Sequence, residues 1–235
     1  MAEPAHGIAV LIPAYNPDEK LLALLPRLRE RFARIVLVDD GSTEGRDIFP
    51  RAAPYVEKIL VHERNRGKGA ALKTGFLAAT GDYVGIQDAD MEYDPRDYTK
   101  MLRPLVDGRA DVVFGSRYLK REDGIVLRWW HTAMNRFLTW WSNVLSDLDV
   151  TDMETCYKLF RREIIQKIAP CLKEERFGFE PEVVARVACL ARKEGLRVSE
   201  VAISYRPRSF KEGKKIGWRD GVRALWCIFK YNLIG

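Results

Sequence analysis

Short, wholly apolar runs alternate with stretches of helical spacing along the first half of the chain. Ile8-Ala9-Val10-Leu11-Ile12 is continuously apolar and stops at Pro13, the pattern of a strand buried on both faces. Leu21, Leu22, Leu25, Leu28 and Phe32 then recur at helical spacing, with Pro26 as an internal interruption. Segments 35–38, 59–61, 83–86 and 112–114 read as further buried strands, with helices expected over 67–79 and near 97–107. This rhythm predicts an α/β domain whose central sheet is mostly parallel and flanked by helices. Such sheets bind ligands beyond the carboxyl ends of their strands. Three of the strands end there in polar groups: Pro13-Ala14-Tyr15-Asn16, Asp39-Asp40-Gly41-Ser42 and Gln87-Asp88-Ala89-Asp90.

The second half changes character. Residues 125–148 carry four tryptophans. Leu127, Trp130, Met134, Phe137, Trp141, Leu145 and Leu148 form one helical stripe that is expected to face the core. Trp129, Arg136 and Trp140 line a second face, where ordinary packing with a solvated arginine competes with contact to a membrane interface. A helix near 179–194 and a strand near 197–203 follow. Over 218–233 a last helix sets Trp218, Val222, Leu225, Phe229 and Leu233 on one stripe, and Arg219, Arg223 and Lys230 with Trp226 on another. That pairing suits a helix lying on a membrane surface, or one packed on the domain with its charges in water.

Composition narrows the picture. The 235 residues are 47% hydrophobic and 31% charged, which is enough for one globular domain with an appendage and excludes intrinsic disorder. No apolar stretch approaches the roughly 18 uncharged residues of a spanning helix. The N-terminus lacks the basic start and long apolar run of a secretion signal, so a cytoplasmic location is expected. Cys156, Cys171, Cys189 and Cys227 form no Cys-x-x-Cys pair, and histidines number three. Both facts argue against a zinc site and for free, buried thiols. The net charge of +6 is local: residues 206–235 hold eight basic and two acidic side chains, and the rest of the chain sums to zero. Such a tail suits anionic lipid headgroups, a phosphorylated substrate or nucleic acid.

Candidate chemistry concentrates in Asp88, Asp90, Glu92 and Asp94, directly after a predicted strand. Carboxylates crowded at a strand end repel one another unless a cation or protons intervene. Hard oxygen ligands of this kind suit Mg2+ or Mn2+, ions that also bind substrate phosphates. In an extended segment Asp88, Asp90 and Glu92 project to one side, so all three are expected to converge on one ion. Asn65-Arg66-Gly67-Lys68-Gly69 opens a helix with two glycines and cations. A start of this kind presents backbone N–H groups to phosphate, or is simply a tight turn. It is not a phosphate loop, and no Gly-x-Gly-x-x-Gly is present, which argues against a dinucleotide-dependent oxidoreductase.

Taken in order, Val10-Leu11-Ile12-Pro13-Ala14-Tyr15-Asn16, Val38-Asp39-Asp40-Gly41-Ser42, Asn65-Arg66-Gly67-Lys68-Gly69 and Asp88-Ala89-Asp90 resemble the signature of the family 2 glycosyltransferases. Phe114-Gly115-Ser116-Arg117, the run Thr151-Asp152-Met153-Glu154-Thr155-Cys156-Tyr157-Lys158, and residues 208–216 resemble its polyprenyl-phosphate branch, typified by dolichyl-phosphate mannose and glucose synthases. The resemblance runs from residue 8 to about 230 and implies a GT-A fold, a divalent metal and inverting transfer from a UDP- or GDP-sugar. By that resemblance Pro13, Ala14 and Tyr15 border the nucleotide, Asp40 and Lys68 serve base and ribose recognition, and Asp88 and Asp90 hold metal and diphosphate. Arg117 meets the donor diphosphate or the acceptor phosphate.

The implied division is a glycosyltransferase domain over 1–205, with a donor half (1–117) and an acceptor half (118–205), followed by a basic amphipathic segment over 206–235. A lipid phosphate is already an anion and requires no general base, and Arg208, Lys214 and Lys215 are expected to hold it. A hydroxyl acceptor requires a carboxylate to take its proton; Asp152 is the candidate, although it equally suits a helix cap or an arginine-orienting role. Peripheral attachment to the membrane through 125–148 and 218–233 is expected, aided by a small integral-membrane partner. A non-enzymatic module binding nucleic acid leaves Asp88, Asp90 and Glu92 unexplained, so no nucleic-acid partner is expected.

Overall fold

The computed structural model describes residues 7–119, 129–207 and 218–234. Its centre is one sheet of β1 (Ile8–Ala14), β2 (Arg34–Asp39), β3 (Lys58–Val61), β4 (Tyr83–Ile86), β5 (Val112–Ser116), β6 (Lys158–Arg161) and β7 (Val198–Ala202). The strand order is β3-β2-β1-β4-β6-β5-β7. Every neighbouring pair is parallel except those made by β6, which runs antiparallel to both β4 and β5. The expected mostly parallel α/β architecture is therefore what the chain adopts.

The period of two in β1 sorts its side chains onto two layers. Ile8, Val10 and Ile12 pack with Leu21, Leu25 and Leu28 of α1 (Glu19–Arg29) and Met101 and Leu105 of α4 (Tyr98–Val106). Ala9 and Leu11 face the other way, toward Leu72 and Phe76 of α3 (Lys68–Ala78) and Val183 and Val187 of α7 (Phe179–Glu194). Pro26 lies inside α1 without ending it, because four buried leucines fix that helix on the sheet. Two short helices, α2 (Ile48–Ala52) and α6 (Arg162–Ile168), complete these layers.

The antiparallel β6 positions the site. Its first residues pair beside the end of β4, with Leu159 opposite Gly85. The loop before it, residues 151–157, therefore opens at the same sheet edge as the segments leaving β4 and β5.

Helices α5 (Trp129–Ser146) and α8 (Trp218–Leu233) form where expected; α5 turns part of its expected core stripe outward, and α8 keeps Val222, Phe229 and Leu233 of its apolar stripe outward, as the membrane-surface alternative has it. In α5 the buried seam is Leu138, Thr139, Ser142 and Ser146, while Met134 and Phe137 of the expected core stripe are exposed with Trp140 and Val144. Trp141, Leu145 and Leu148 do pack against the core. In α8 the seam is Ala224, Cys227, Ile228 and Tyr231, and Val222, Trp226, Phe229 and Leu233 are exposed. The physical reason is mutual packing: α8 packs on both α5 and α7, with the small Thr139, Ser142, Ser146, Ala224 and Cys227 giving room for the larger Leu138, Ile228 and Tyr231. The basic stripe of α8 is also redirected, since Arg223 lies 2.8 Å and Lys230 3.8 Å from the Glu174 carboxylate. Leu127 and the side chains of Trp129, Trp130, Trp218 and Arg219 lie outside the described residues. The expectation of uniformly buried thiols is corrected too: Cys227 is buried, Cys156 and Cys189 are half-buried, and Cys171 is exposed. Among the described residues no helix is long and apolar enough to cross a membrane.

Candidate active site

The loops leaving β1 and β2 are laced together. Asn16 Oδ1 accepts from the N–H groups of Thr43 and Glu44 at 2.9 and 3.1 Å, and Asn16 N donates to Ser42 Oγ at 2.9 Å. Asn16 adopts φ +49°, a left-handed conformation that asparagine tolerates. The lacing fixes Pro13 and Ala14 at the sheet edge and leaves Tyr15 exposed beside them.

Asp40 is committed inside this framework. Its Oδ1 meets His62 Nδ1 at 2.7 Å and Arg66 N at 3.0 Å, and its Oδ2 accepts from Asn65 Nδ2 at 3.0 Å and Gly67 N at 2.6 Å. At 2% exposure the carboxylate shapes the 62–67 turn, so any part it takes in base and ribose recognition runs through that turn. The glycines are explained by packing. Gly67 has φ +110°, and a Cβ on Gly67 or Gly69 would collide with the carbonyl oxygens of Glu175 and Glu174. Gly67 N donates to Asp40 and Ala70 N donates to Glu175 O. Of the two alternatives for this helix start, these two committed N–H groups and the close packing favour the tight turn.

What this helix start delivers to the crevice is Lys68. Its Nζ lies 2.7 Å from Asp88 Oδ1, 2.6 Å from Cys156 Sγ and 4.0 Å from Glu180 Oε1. Burial opposes its charge, but Asp88, Cys156 and Glu180 outweigh that and raise the Lys68 ammonium well above its ordinary pKa. Burial likewise pushes the Cys156 thiol up, so it stays protonated.

Asp88 and Asp90 stand half-buried at the end of β4, and Asp90 Oδ1 accepts from Glu92 N at 3.1 Å. Met91 between them and Glu92 has φ +61°. This left-handed residue breaks the period of two and sends Glu92 elsewhere: its Oε2 accepts from Tyr205 OH at 2.9 Å. The expected convergence of three carboxylates is corrected, and among the described residues no three His, Cys, Asp or Glu side chains gather as a preformed cage. Asp88 and Asp90 still fit Mg2+ or Mn2+, ions commonly held by one or two carboxylates with substrate phosphates and water completing the shell.

Arg117 follows β5 and is clamped by Asp152. Nε reaches Oδ2 at 2.6 Å, Nη2 reaches Oδ1 at 2.7 Å, and the backbone N reaches Oδ2 at 3.0 Å. The guanidinium also sits 5.2 Å from the Tyr205 ring centroid. Burial opposes its charge, but Asp152 dominates and holds Arg117 firmly protonated. Asp152 is fully buried, and both its oxygens serve Arg117. Of its alternative roles, the geometry is that of an arginine-orienting group and not of a proton acceptor. Glu200 fixes this loop by accepting from Thr151 N and Asp152 N.

Sequence reasoning passes over three residues of the same crevice. Lys158 is fully buried and donates to Met153 O, to Thr155 O and, at 2.5 Å, to Glu180 Oε2. Glu154 lies beside them. Glu154 and Lys158 belong to the Thr151–Lys158 run, so spacing marked the segment; the burial of Lys158 and of Glu154 Oε1 is what spacing could not show. Arg208, Lys214 and Lys215 lie outside the described residues.

Residues 9–169 match Glycosyl transferase family 2. The chain is 28% identical over 222 residues to the undecaprenyl-phosphate 4-deoxy-4-formamido-L-arabinose transferase of Serratia proteamaculans, covering 90% of this chain and 64% of that protein. It is 26% identical over 223 residues to the dolichyl-phosphate beta-glucosyltransferase of Dictyostelium discoideum, covering 84% and 66%. The chain thus spans slightly less than two-thirds of the length of these two relatives. Among solved structures, glucosyl-3-phosphoglycerate synthase from Mycobacterium tuberculosis, in complex with Mn2+, UDP and phosphoglyceric acid, matches with a TM-score of 0.68. It is 17% identical, over 98% of this chain and 80% of that one; the likeness is one of GT-A fold.

Proposed function

We propose, on the premise that the chain belongs to glycosyl transferase family 2, that it transfers a sugar from a UDP- or GDP-sugar to a polyprenyl phosphate at the cytoplasmic face of a membrane. The observation that carries the lipid acceptor is the outward face of α5 and α8. Among the described residues, nine of the fourteen exposed large apolar side chains lie on these two helices and at the end of α8. Such clustering marks an interaction surface, whereas single exposed apolar residues are ordinary. Tryptophans among them suit the boundary between headgroups and acyl chains. A separate integral-membrane partner adds to the attachment in this reading.

In the reaction an acceptor phosphate oxygen attacks the anomeric carbon opposite the diphosphate. The bond from that carbon to the diphosphate oxygen breaks, configuration inverts, and the nucleoside diphosphate leaves with the electron pair. Mg2+ or Mn2+ held by Asp88 and Asp90 would offset the charge gathering on that leaving group. Pro13, Ala14 and Tyr15 border the nucleotide, Lys68 is aimed by Asp88, and Arg117 is aimed by Asp152 at the phosphates. Residues 1–117 supply the donor side, 118–205 the acceptor side, and Arg208, Lys214 and Lys215 of the 206–235 segment hold the acceptor phosphate. Transfer to a hydroxyl is the second reading, but the commitment of Asp152 to Arg117 removes its candidate base.

The test is a transfer assay with labelled UDP-glucose and GDP-mannose, Mn2+ and a polyprenyl phosphate in mild detergent. Metal-dependent label in the organic phase, lost in Asp90→Ala with an unchanged circular dichroism spectrum, is the expected result. Label that stays aqueous because the sugar is transferred to a water-soluble acceptor, with release of the nucleoside diphosphate, would overturn the lipid reading.

A further inference from the structure

Two carboxyl groups in the crevice take no part in the chemistry described above. Glu154 lies in the loop that β6 carries to the carboxyl edge of the sheet, and Glu180 lies in the first turn of α7. Glu180 is 7% exposed. Its Oε2 is bound by Lys158, while its Oε1 is buried without a hydrogen bond and faces Lys68 Nζ at 4.0 Å. Glu154 Oε1 is likewise buried without a hydrogen bond. A buried acceptor left unmade costs about 1–3 kcal/mol, so two in one crevice call for an explanation.

Charge bookkeeping separates the acids. Lys68 offsets Asp88, Arg117 offsets Asp152, and Lys158 offsets Glu180. Among the described residues Glu154 has no such ion-pair partner. The groups that face it are Glu180 from α7, Lys158 from β6, Arg117 after β5 and Asp152 in its own loop. Burial first, and then the Glu180 charge, push the Glu154 carboxyl up to about 7, against the pull of Lys158 and Arg117. A protonated carboxyl both donates and accepts. Beside it Glu180 Oε1 can only accept. A phosphate would be repelled by Glu180, whereas neutral hydroxyl groups satisfy both orphan oxygens.

We infer that Glu154 and Glu180 form the subsite that reads the hydroxyl groups of the donor sugar. The inference rests on the nucleotide-sugar reading above and deepens it. The two acids are binding residues: they hold the sugar ring and leave the nucleotide to Tyr15, Lys68 and the strand-end acids.

The experiment compares each nucleotide with its sugar-bearing form. Titration calorimetry with Mn2+ measures UDP against UDP-glucose and GDP against GDP-mannose, for the wild type, Glu154→Gln and Glu154→Leu, at pH 6 and pH 8. The Leu variant should bind the preferred nucleotide sugar about tenfold more weakly, the worth of one hydrogen bond, and bind the bare nucleotide unchanged. The wild type should favour the sugar-bearing form severalfold more at pH 6 than at pH 8, and Glu154→Gln should flatten that dependence. Equal losses for nucleotide and nucleotide sugar, or no loss for either, would overturn the subsite while leaving the donor reading intact. Unchanged binding with reduced turnover would also overturn it, by making Glu154 a proton acceptor. A wild type that binds none of the four probes would bring down the donor reading and the subsite with it.

Discussion

Two acids two positions apart in one loop should respond to substitution with opposite signs. Asp152 is matched by Arg117, so Asp152→Ala leaves a buried guanidinium without its counter-charge and should cost about 3–5 kcal/mol in urea denaturation. Glu154 is the reverse case. Below pH 4.5, its ordinary value, it is protonated whether folded or not and carries no penalty. Between 4.5 and about 7 the unfolded chain ionises while the folded one does not, so stability falls with rising pH. Above pH 7 the full penalty stands, an upper estimate of roughly 3 kcal/mol at about 1.4 kcal/mol per unit. Glutamine cannot ionise. Glu154→Gln should therefore match the wild type near pH 4 and exceed it in stability at pH 8; a difference that does not grow with pH would contradict the burial of that charge. The sequence displayed Asp152 and Arg117 as motif residues, but Glu154 only as a neighbour, because its behaviour comes from desolvation and from the charge of Glu180 on α7.

Elements were legible where length and period agreed. Six of the seven strands could be placed from apolar runs. The seventh, Lys158–Arg161, could not: it is four residues long with a cation at each end, and its Lys158 is buried only because Glu180 and two carbonyls receive it. The helices α5 and α8 were legible as helices; the core face of α5 was partly misread, and for α8 the sequence leaves open the choice between an outward and an inward apolar stripe. Each offers two stripes with apolar members, and periodicity alone cannot choose between them; packing with α7 selects the one that mixes small or polar side chains with Leu138, Ile228 and Tyr231. This leaves Trp140 and Trp226 outward, at 57% and 49% exposure. Replacing both with serine should weaken binding to phospholipid vesicles by about 100-fold or more, since each buried large side chain is worth about 1.5–3 kcal/mol, and should leave nucleotide binding unchanged. The share of binding lost should resist added salt, because Arg223 and Lys230 are spent on Glu174. Vesicle binding that is unaffected in co-sedimentation would assign this face to a protein partner.

At the scale of the whole molecule, the two sides of the chain, residues 1–117 and 118–205, share one sheet, and they meet again at the start of α3. There the 62–67 turn presses against residues 174–176, through glycines that leave no room for a Cβ. Gly67 stands at φ +110°, ψ 161°, a region essentially restricted to glycine, where another residue costs on the order of 1–3 kcal/mol. Gly67→Ala adds the collision with Glu175 O to that strain. It also moves the N–H that Asp40 holds and the neighbouring Lys68 that reaches Asp88. Lower stability and weaker nucleotide binding should therefore appear together, with urea unfolding shifted by roughly 3 kcal/mol. Ligand that binds only the folded chain adds stability in proportion to the logarithm of its concentration over its dissociation constant. Mn2+ with the preferred nucleotide should thus rescue the variant less than it stabilises the wild type. Equal rescue would mean that the turn holds the two sides together without shaping the nucleotide site, and that Lys68 finds Asp88 by its own reach.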